Sequence, residues 1–275
     1  MASDELFSVP IPTLGDHPGG QIICSTPAPQ VYLLTFTSPV DNRLTPAFCN
    51  AMITALDVIE YGHAPGVVVT TSGIAKFYSN GLDLGSAMAD PSFWENSLYP
   101  MYRRLITYSM PTVALINGHA FAGGIMLAMH HDYRVFTDKR GFLCVNELEF
   151  GAPLPPPLAG IFRTKCSPLV YRSLVLEAKR YDAKSALDAG LVDAVGELGA
   201  ALEFINERAL VKKGTKGSYG LLKAEMYREN IALLDVKGKL AAGDLSLTKK
   251  EKKRRAEGSK WVAEWKASQD PKSKL

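Results

Sequence analysis

The chain has 275 residues, 47% of them hydrophobic and 21% charged, with a formal net charge of +3. A chain this long buries roughly three quarters of the surface its unfolded form exposes, so it needs no disulfide or structural metal to hold together. The small net charge, with basic residues gathered near the C-terminus, argues against a dedicated nucleic-acid surface.

Residues 1–30 carry early acids and are rich in Pro and Gly, unlike a signal peptide, and read as an extension outside the core. Residues 31–36 read as a buried strand. Thr45 is a good N-cap with Pro46 at the first helical position, which predicts an amphipathic helix to about Ile59. A β-branched strand follows at 66–71, then a loop through Tyr78-Ser-Asn-Gly-Leu-Asp-Leu84, and a helical stretch over 93–108. Residues 111–116 form a strand that breaks at Asn117-Gly118. The glycine loop His119-Ala-Phe-Ala-Gly-Gly124 leads into an apolar helix over 125–130, and strands are expected at 133–137 and 141–145. Alternating strands and helices predict an α/β core.

Beyond Pro157 the pattern is mainly helical. Asp182 caps a short helix ending at Gly190, and helices are expected over 199–212, 219–235 and 247–267. This divides the chain into a core over 1–195 and a helical region over 196–275. The basic run over 249–255 reads as a solvated helix face. Cys24, Cys49, Cys144 and Cys166 lack C-x-x-C spacing and read as reduced, buried thiols. No apolar run reaches the ~18 residues of a membrane span. Ser273-Lys274-Leu275 matches the S-K-L address read by the peroxisomal import receptor, so a peroxisomal location is expected.

Two loops in this plan carry chemistry. Ser79-Asn-Gly-Leu-Asp83 and Ala122-Gly-Gly124 each follow a strand and each turn on glycine, which leaves backbone N–H groups free to hold an anion. Asn146-Glu-Leu-Glu-Phe-Gly151 then brings carboxylates out of a β-like run. Donors for an oxyanion and an acid that moves a proton are the parts of enolate chemistry.

These segments resemble the enoyl-CoA hydratase/isomerase (crotonase) superfamily over residues 28–215. The resemblance rests on Phe77-Tyr-Ser-Asn-Gly-Leu-Asp-Leu84, on Asn117-Gly-His-Ala-Phe-Ala-Gly-Gly-Ile-Met-Leu-Ala128 with Asp132-Tyr-Arg134, and on Asn146-Glu-Leu-Glu-Phe-Gly151. Residues 182–195 add a similar helix and turn. It implies an α/β, crotonase-like β-β-α superhelix with a helical C-terminal region. It also implies trimers or hexamers, and an acyl-CoA substrate that brings coenzyme A with it, with no separate cofactor and no metal. It assigns the oxyanion donors to the backbone N–H groups of Leu82 and Gly123 and a catalytic acid to Glu147. Where hydratases of the family place a second acid, this chain has Met126. One acid beside an oxyanion hole suits Δ3,Δ2-enoyl-CoA isomerisation, as in peroxisomal isomerases of fungi and plants. Leu148, Phe150 and Met126 are expected to surround the acid and raise its pKa.

Alternatives stay open at this level. Glu149 is the fallback acid. Asp83 and Asp132 read as residues that fix turns, and His130 and His131 as structural. Arg43 and Asn80 are candidates for substrate binding, Arg43 either at a phosphate or on a plain surface. Tyr78, Phe93 and Trp94 shape an acyl pocket or simply pack, and His119, in the glycine loop, is either structural like the other two histidines or lines the pocket. Another acyl-CoA enzyme on the same fold, such as a hydratase, a thioester hydrolase or a specialised-pathway enzyme, and a silent acyl-CoA binder are the competing readings.

Overall fold

The computed structural model describes residues 5–90, 92–235 and 245–269. In chain order it begins with strands β1 (Glu5–Ile11), β2 (Gly20–Ala28) and β3 (Val31–Thr37) and helix α1 (Pro46–Gly62). Strands β4 (Val67–Ser72) and β5 (Phe77–Ser79), helix α2 (Leu84–Ala89), a π-helical turn (Trp94–Leu98) and helix α3 (Tyr99–Ile106) follow. Next come β6 (Thr112–Ile116), β7 (His119–Phe121), α4 (Gly123–Met129), β8 (Tyr133–Phe136) and β9 (Leu143–Cys144). The remainder is α5 (Pro156–Lys165), α6 (Pro168–Leu176), α7 (Ala183–Asp188), β10 (Ala194–Val195), α8 (Leu198–Glu207), α9 (Leu210–Gly214), α10 (Tyr219–Met226), α11 (Arg228–Leu234) and α12 (Leu245–Gln269).

The strands sort into two sheets. The larger runs β1-β2-β3-β4-β6-β8-β10, antiparallel at the β1 end and parallel from β3 onward. The smaller is the parallel set β5-β7-β9. Each strand of the larger sheet from β4 to β8 therefore hands the chain to a strand of the smaller one before a helix returns it. This is the β-β-α spiral.

The N-terminal residues depart from the expectation of an extension outside the core. Val9, Ile11, Ile22 and Cys24 are buried, and β1 and β2 complete the larger sheet. Pro10 is tolerated because β1 is the edge strand, where a missing ladder donor costs least. The short strands β5 and β7 replace expected loops. The predicted helix over 93–108 is divided into a π turn and α3.

Where sequence signals were chemical they hold locally. The Thr45 hydroxyl accepts from the Phe48 N–H at 3.1 Å, capping α1. The Asp182 carboxylate accepts from the Ser185 N–H at 2.8 Å, capping α7.

Every residue of β4 is buried, since both faces of the larger sheet are covered. On one face α1 inserts Phe48, Met52 and Leu56 beside Phe36. On the other, Ala201, Phe204 and Ile205 of α8 cover Val67, Val69 and Val113. Residues from both sides of position 195 thus share one core. An ion pair pins the C-terminal helices further: Lys223 Nζ of α10 lies 2.9 Å from Asp132 Oδ1, with both side chains under 10% exposed. Asp132 also accepts from the Thr112 N–H at 2.9 Å, in keeping with its expected turn-fixing role. Removing one partner strands a buried charge. Lys223→Met is therefore expected to destabilise the fold by about 3–5 kcal/mol, read as a lower urea midpoint, and an unchanged midpoint would refute the role given to this pair.

Cys24, Cys49 and Cys144 are buried free thiols and Cys166 is partly exposed. Among the described residues, no helix is long and apolar enough to cross a membrane. Residues Ser273, Lys274 and Leu275 lie outside the described residues.

Candidate active site

The two glycine loops meet. In the first, Gly81 has φ +85°, a conformation glycine adopts freely. The Leu44 N–H donates to the Gly81 carbonyl at 2.9 Å and the Asp83 N–H to the Leu44 carbonyl at 3.3 Å. This short parallel bridge leaves the intervening Leu82 N–H on the other side of the backbone. In the second loop, Ala122 sits at φ 48°, ψ −122°, and Gly123 opens α4. First-turn N–H groups have no partner within their helix. Among the described residues, neither the Leu82 nor the Gly123 N–H has a protein acceptor. A Cβ placed on Gly123 would lie 3.2 Å from Leu82 N, and one on Gly81 would lie 2.9 Å from Gly123 N. Two free donors therefore stand side by side at the junction of β5 and β7.

Arg43, Asn80 and Asp41 build the first of these loops. Arg43 Nη1 donates to the Asn80 and Leu82 carbonyls at 3.1 and 3.2 Å, while its Nε pairs with Asp41 at 3.1 Å. Asn80 Nδ2 donates to Asp41 Oδ2 at 2.7 Å. In this geometry Arg43 and Asn80 brace the backbone that presents Leu82. Asp41 was not singled out from the sequence, although it lies two positions from Arg43.

The two acids separate sharply. Residues 147–151 form a turn, closed by the Ala152 N–H donating to the Glu147 carbonyl at 3.0 Å. Glu147 Oε2 is buried without a hydrogen-bond partner among the described residues. Burial pushes this carboxyl from 4.5 up to about 7, partly opposed by a backbone hydrogen bond. Glu149 is exposed and pairs with Arg180 at 3.5 Å. A turn, unlike a strand, puts neighbours two apart in different environments.

The expected surroundings of the acid need correction. Leu148 and Phe150 are 55% and 49% exposed, so they do not enclose it, whereas Met126 is wholly buried on α4. The turn carries its apolar side chains outward and its carboxylate inward. Tyr102 of α3 lies near enough that the Glu147 charge helps raise its hydroxyl pKa, after burial and Cys49. Tyr102 had no distinguishing signal in the sequence, being one of many apolar positions at helical spacing.

The remaining candidates lie elsewhere. Tyr78 is fully buried, its hydroxyl 2.9 Å from Thr70 Oγ1, which in turn lies 2.9 Å from His131 Nε2. This is a core polar chain and not a pocket wall. Phe93 is also buried in the core, with Trp94 packed against it. His119 opens β7, two residues before its end, and its Nδ1 accepts from the Phe142 N–H at 3.1 Å among Phe77, Phe121 and Phe142. His130 and His131 are buried, and desolvation pulls each down to about 3, so both rings are neutral. Among the described residues no group of three or more His, Cys, Asp or Glu side chains is arranged for a metal ion.

Comparison with known proteins adds to this geometry. A family model described as enoyl-CoA hydratase/isomerase matches residues 28–229. Enoyl-CoA delta isomerase 3 of Arabidopsis thaliana is 29% identical over 219 residues, which are 75% of this chain and 92% of that protein. The peroxisomal enoyl-CoA delta isomerase 1 of the same plant is 31% identical over 212 residues, covering 73% of this chain and 87% of the relative. Among solved structures, human mitochondrial Δ3-Δ2-enoyl-CoA isomerase matches with a TM-score of 0.70 at 20% identity. It covers 87% of this chain and 99% of its own, and at that identity the likeness is one of fold.

Proposed function

From the premise that this chain belongs to the enoyl-CoA hydratase/isomerase family, we propose that it moves the double bond of 3-enoyl-CoA thioesters to the 2-position. Glu147 removes a proton from C2 of the substrate, and the C2–H electron pair delocalises into the thioester carbonyl. The oxygen, now bearing the negative charge, is held by the N–H groups of Leu82 and Gly123. The same carboxyl then returns its proton at C4, leaving a 2,3 double bond. Atoms and charge balance without a redox partner, and coenzyme A enters only as part of the substrate.

The observation that carries this reading is the Glu147 carboxylate, buried without a hydrogen-bond partner among the described residues and raised toward neutrality, on a chain with a buried methionine at position 126. A base whose pKa lies near the working pH is well matched to taking and returning a proton. Water addition calls for a second acid, which Met126 does not supply.

The test follows the conjugated enoyl absorbance with 3-hexenoyl-CoA and 2-hexenoyl-CoA given separately. The expected result is rising absorbance with the first and no loss with the second. Loss with the 2-enoyl thioester would mean hydration and overturn the isomerase reading, and silence with both would overturn it as well.

The pH dependence follows from the sign of the Glu147 shift. The base works ionised, so kcat/KM should rise with pH through about 7 and level off above it. A profile already flat from pH 5 would show that this carboxyl is not the base.

A peroxisomal setting is part of the same proposal, supported by Ser273-Lys274-Leu275 and by the designation of the Arabidopsis relative. Deleting Leu275 is expected to leave a fluorescently tagged protein in the cytosol, and undisturbed import would refute this address.

A further inference from the structure

Resting on the enolate chemistry proposed above, we propose that Tyr102 is a positioning residue for the oxyanion donor: its hydroxyl, 3.1 Å from the Gly123 carbonyl oxygen, pins the Ala122–Gly123 turn in the conformation that offers the Gly123 N–H to the thioester.

The turn needs holding. Ala122 at φ 48°, ψ −122° occupies a region that residues with a Cβ rarely adopt. Such strain persists only where the surroundings over-determine it. Some of the restraint is backbone: the Ala122 N–H donates to the Cys144 carbonyl at 3.0 Å, and the Met126 N–H to the Ala122 carbonyl at 3.3 Å. The next residue is where the donor sits, and there the side-chain restraint comes from Tyr102.

Tyr102 is itself immobilised. It is fully buried, and its ring stacks on His130 with centroids 4.1 Å apart and planes 5° from parallel. His130 Nδ1 lies 2.7 Å from the Met126 carbonyl oxygen. A carbonyl only accepts, so Nδ1 carries the proton and the neutral ring is fixed in one tautomer. The residue that follows α4 therefore holds the tyrosine that holds the first residue of α4. Burial raises the Tyr102 hydroxyl well above the ordinary range. It stays protonated, a fixed donor and not a proton carrier.

Tyr108 supplies the comparison. It too is buried, and its hydroxyl donates to the Leu56 carbonyl at 2.7 Å, between α1 and the end of α3 and away from both glycine loops. Tyr102→Phe and Tyr108→Phe each delete one buried hydroxyl-to-carbonyl bond. Both variants would be measured for urea midpoint, for kcat and KM on 3-hexenoyl-CoA, and for the ultraviolet enolate band of bound acetoacetyl-CoA. The band reports the oxyanion donors without requiring turnover. Tyr102→Phe should lower kcat roughly 10- to 100-fold with KM within about twofold, and weaken the enolate band. Tyr108→Phe should change stability alone. The proposal is overturned if Tyr102→Phe matches Tyr108→Phe in kcat and band, or if its activity falls only as its folded fraction falls. If the unmodified protein shows the band but does not isomerise, the isomerase reading fails, and the effect of Tyr102→Phe on the band still decides the positioning role.

Discussion

Glu147→Gln is expected to lower turnover of a 3-enoyl thioester by about 10²–10⁴-fold or more while leaving thioester binding within a few-fold of the unmodified protein. The reason is specific to this site. Gln keeps the shape of the side chain, so the turn over 147–151 and the packing around it persist, but the group no longer accepts a proton. Glu149 cannot stand in: it faces solvent, paired with Arg180 at 3.5 Å. The accompanying binding measurement matters as much as the rate. Loss of rate with binding intact isolates the proton transfer, whereas near-normal turnover would remove Glu147 from the mechanism.

Gly123→Ala should cost about 10²–10³-fold in kcat, the usual effect of losing an oxyanion donor. Gly123 does not occupy the left-handed region, so its backbone accepts a side chain. The added methyl group is the problem. It would fall 3.2 Å from Leu82 N and equally close to the Leu82 side chain, crowding the place where, in the proposed mechanism, the thioester oxygen approaches both donors. The two substitutions also differ in a way that can be read directly. Glu147→Gln should retain the enolate band of bound acetoacetyl-CoA, because the donors remain, and Gly123→Ala should lose it. A Gly123→Ala protein with normal kcat would mean the substrate oxygen is bound elsewhere.

The site was partly legible before the fold. Gly81 and Gly123 lie in turns that directly follow β-like runs, and Glu147 follows another, so they stand out in a linear reading. Thr45 and Asp182 were legible as caps because capping is chemistry between residues three apart. By contrast, Arg43 and Asn80 were readable only as generic candidates. Their work, bracing the Leu82 loop, involves backbone carbonyls 37 and 39 positions from Arg43. For Tyr78 the sequence left a pocket role and plain packing open, and its full burial in the core agrees with packing.

Residue order alone specified what depends on nearest neighbours: helix starts, glycine turns and the α/β alternation. Tertiary packing decided the rest. It drew residues 5–11 and 20–28 into the sheet as strands, because their apolar side chains are buried only against distant segments. It also separated Glu147 from Glu149 by folding the segment as a turn, which exposes Leu148 and Phe150 while burying one carboxylate. Finally, it set Tyr102 against Gly123 and His130. These outcomes rest on burial and on contacts between distant segments, and burial is a property of the folded surroundings, which a residue's immediate neighbours in sequence do not encode.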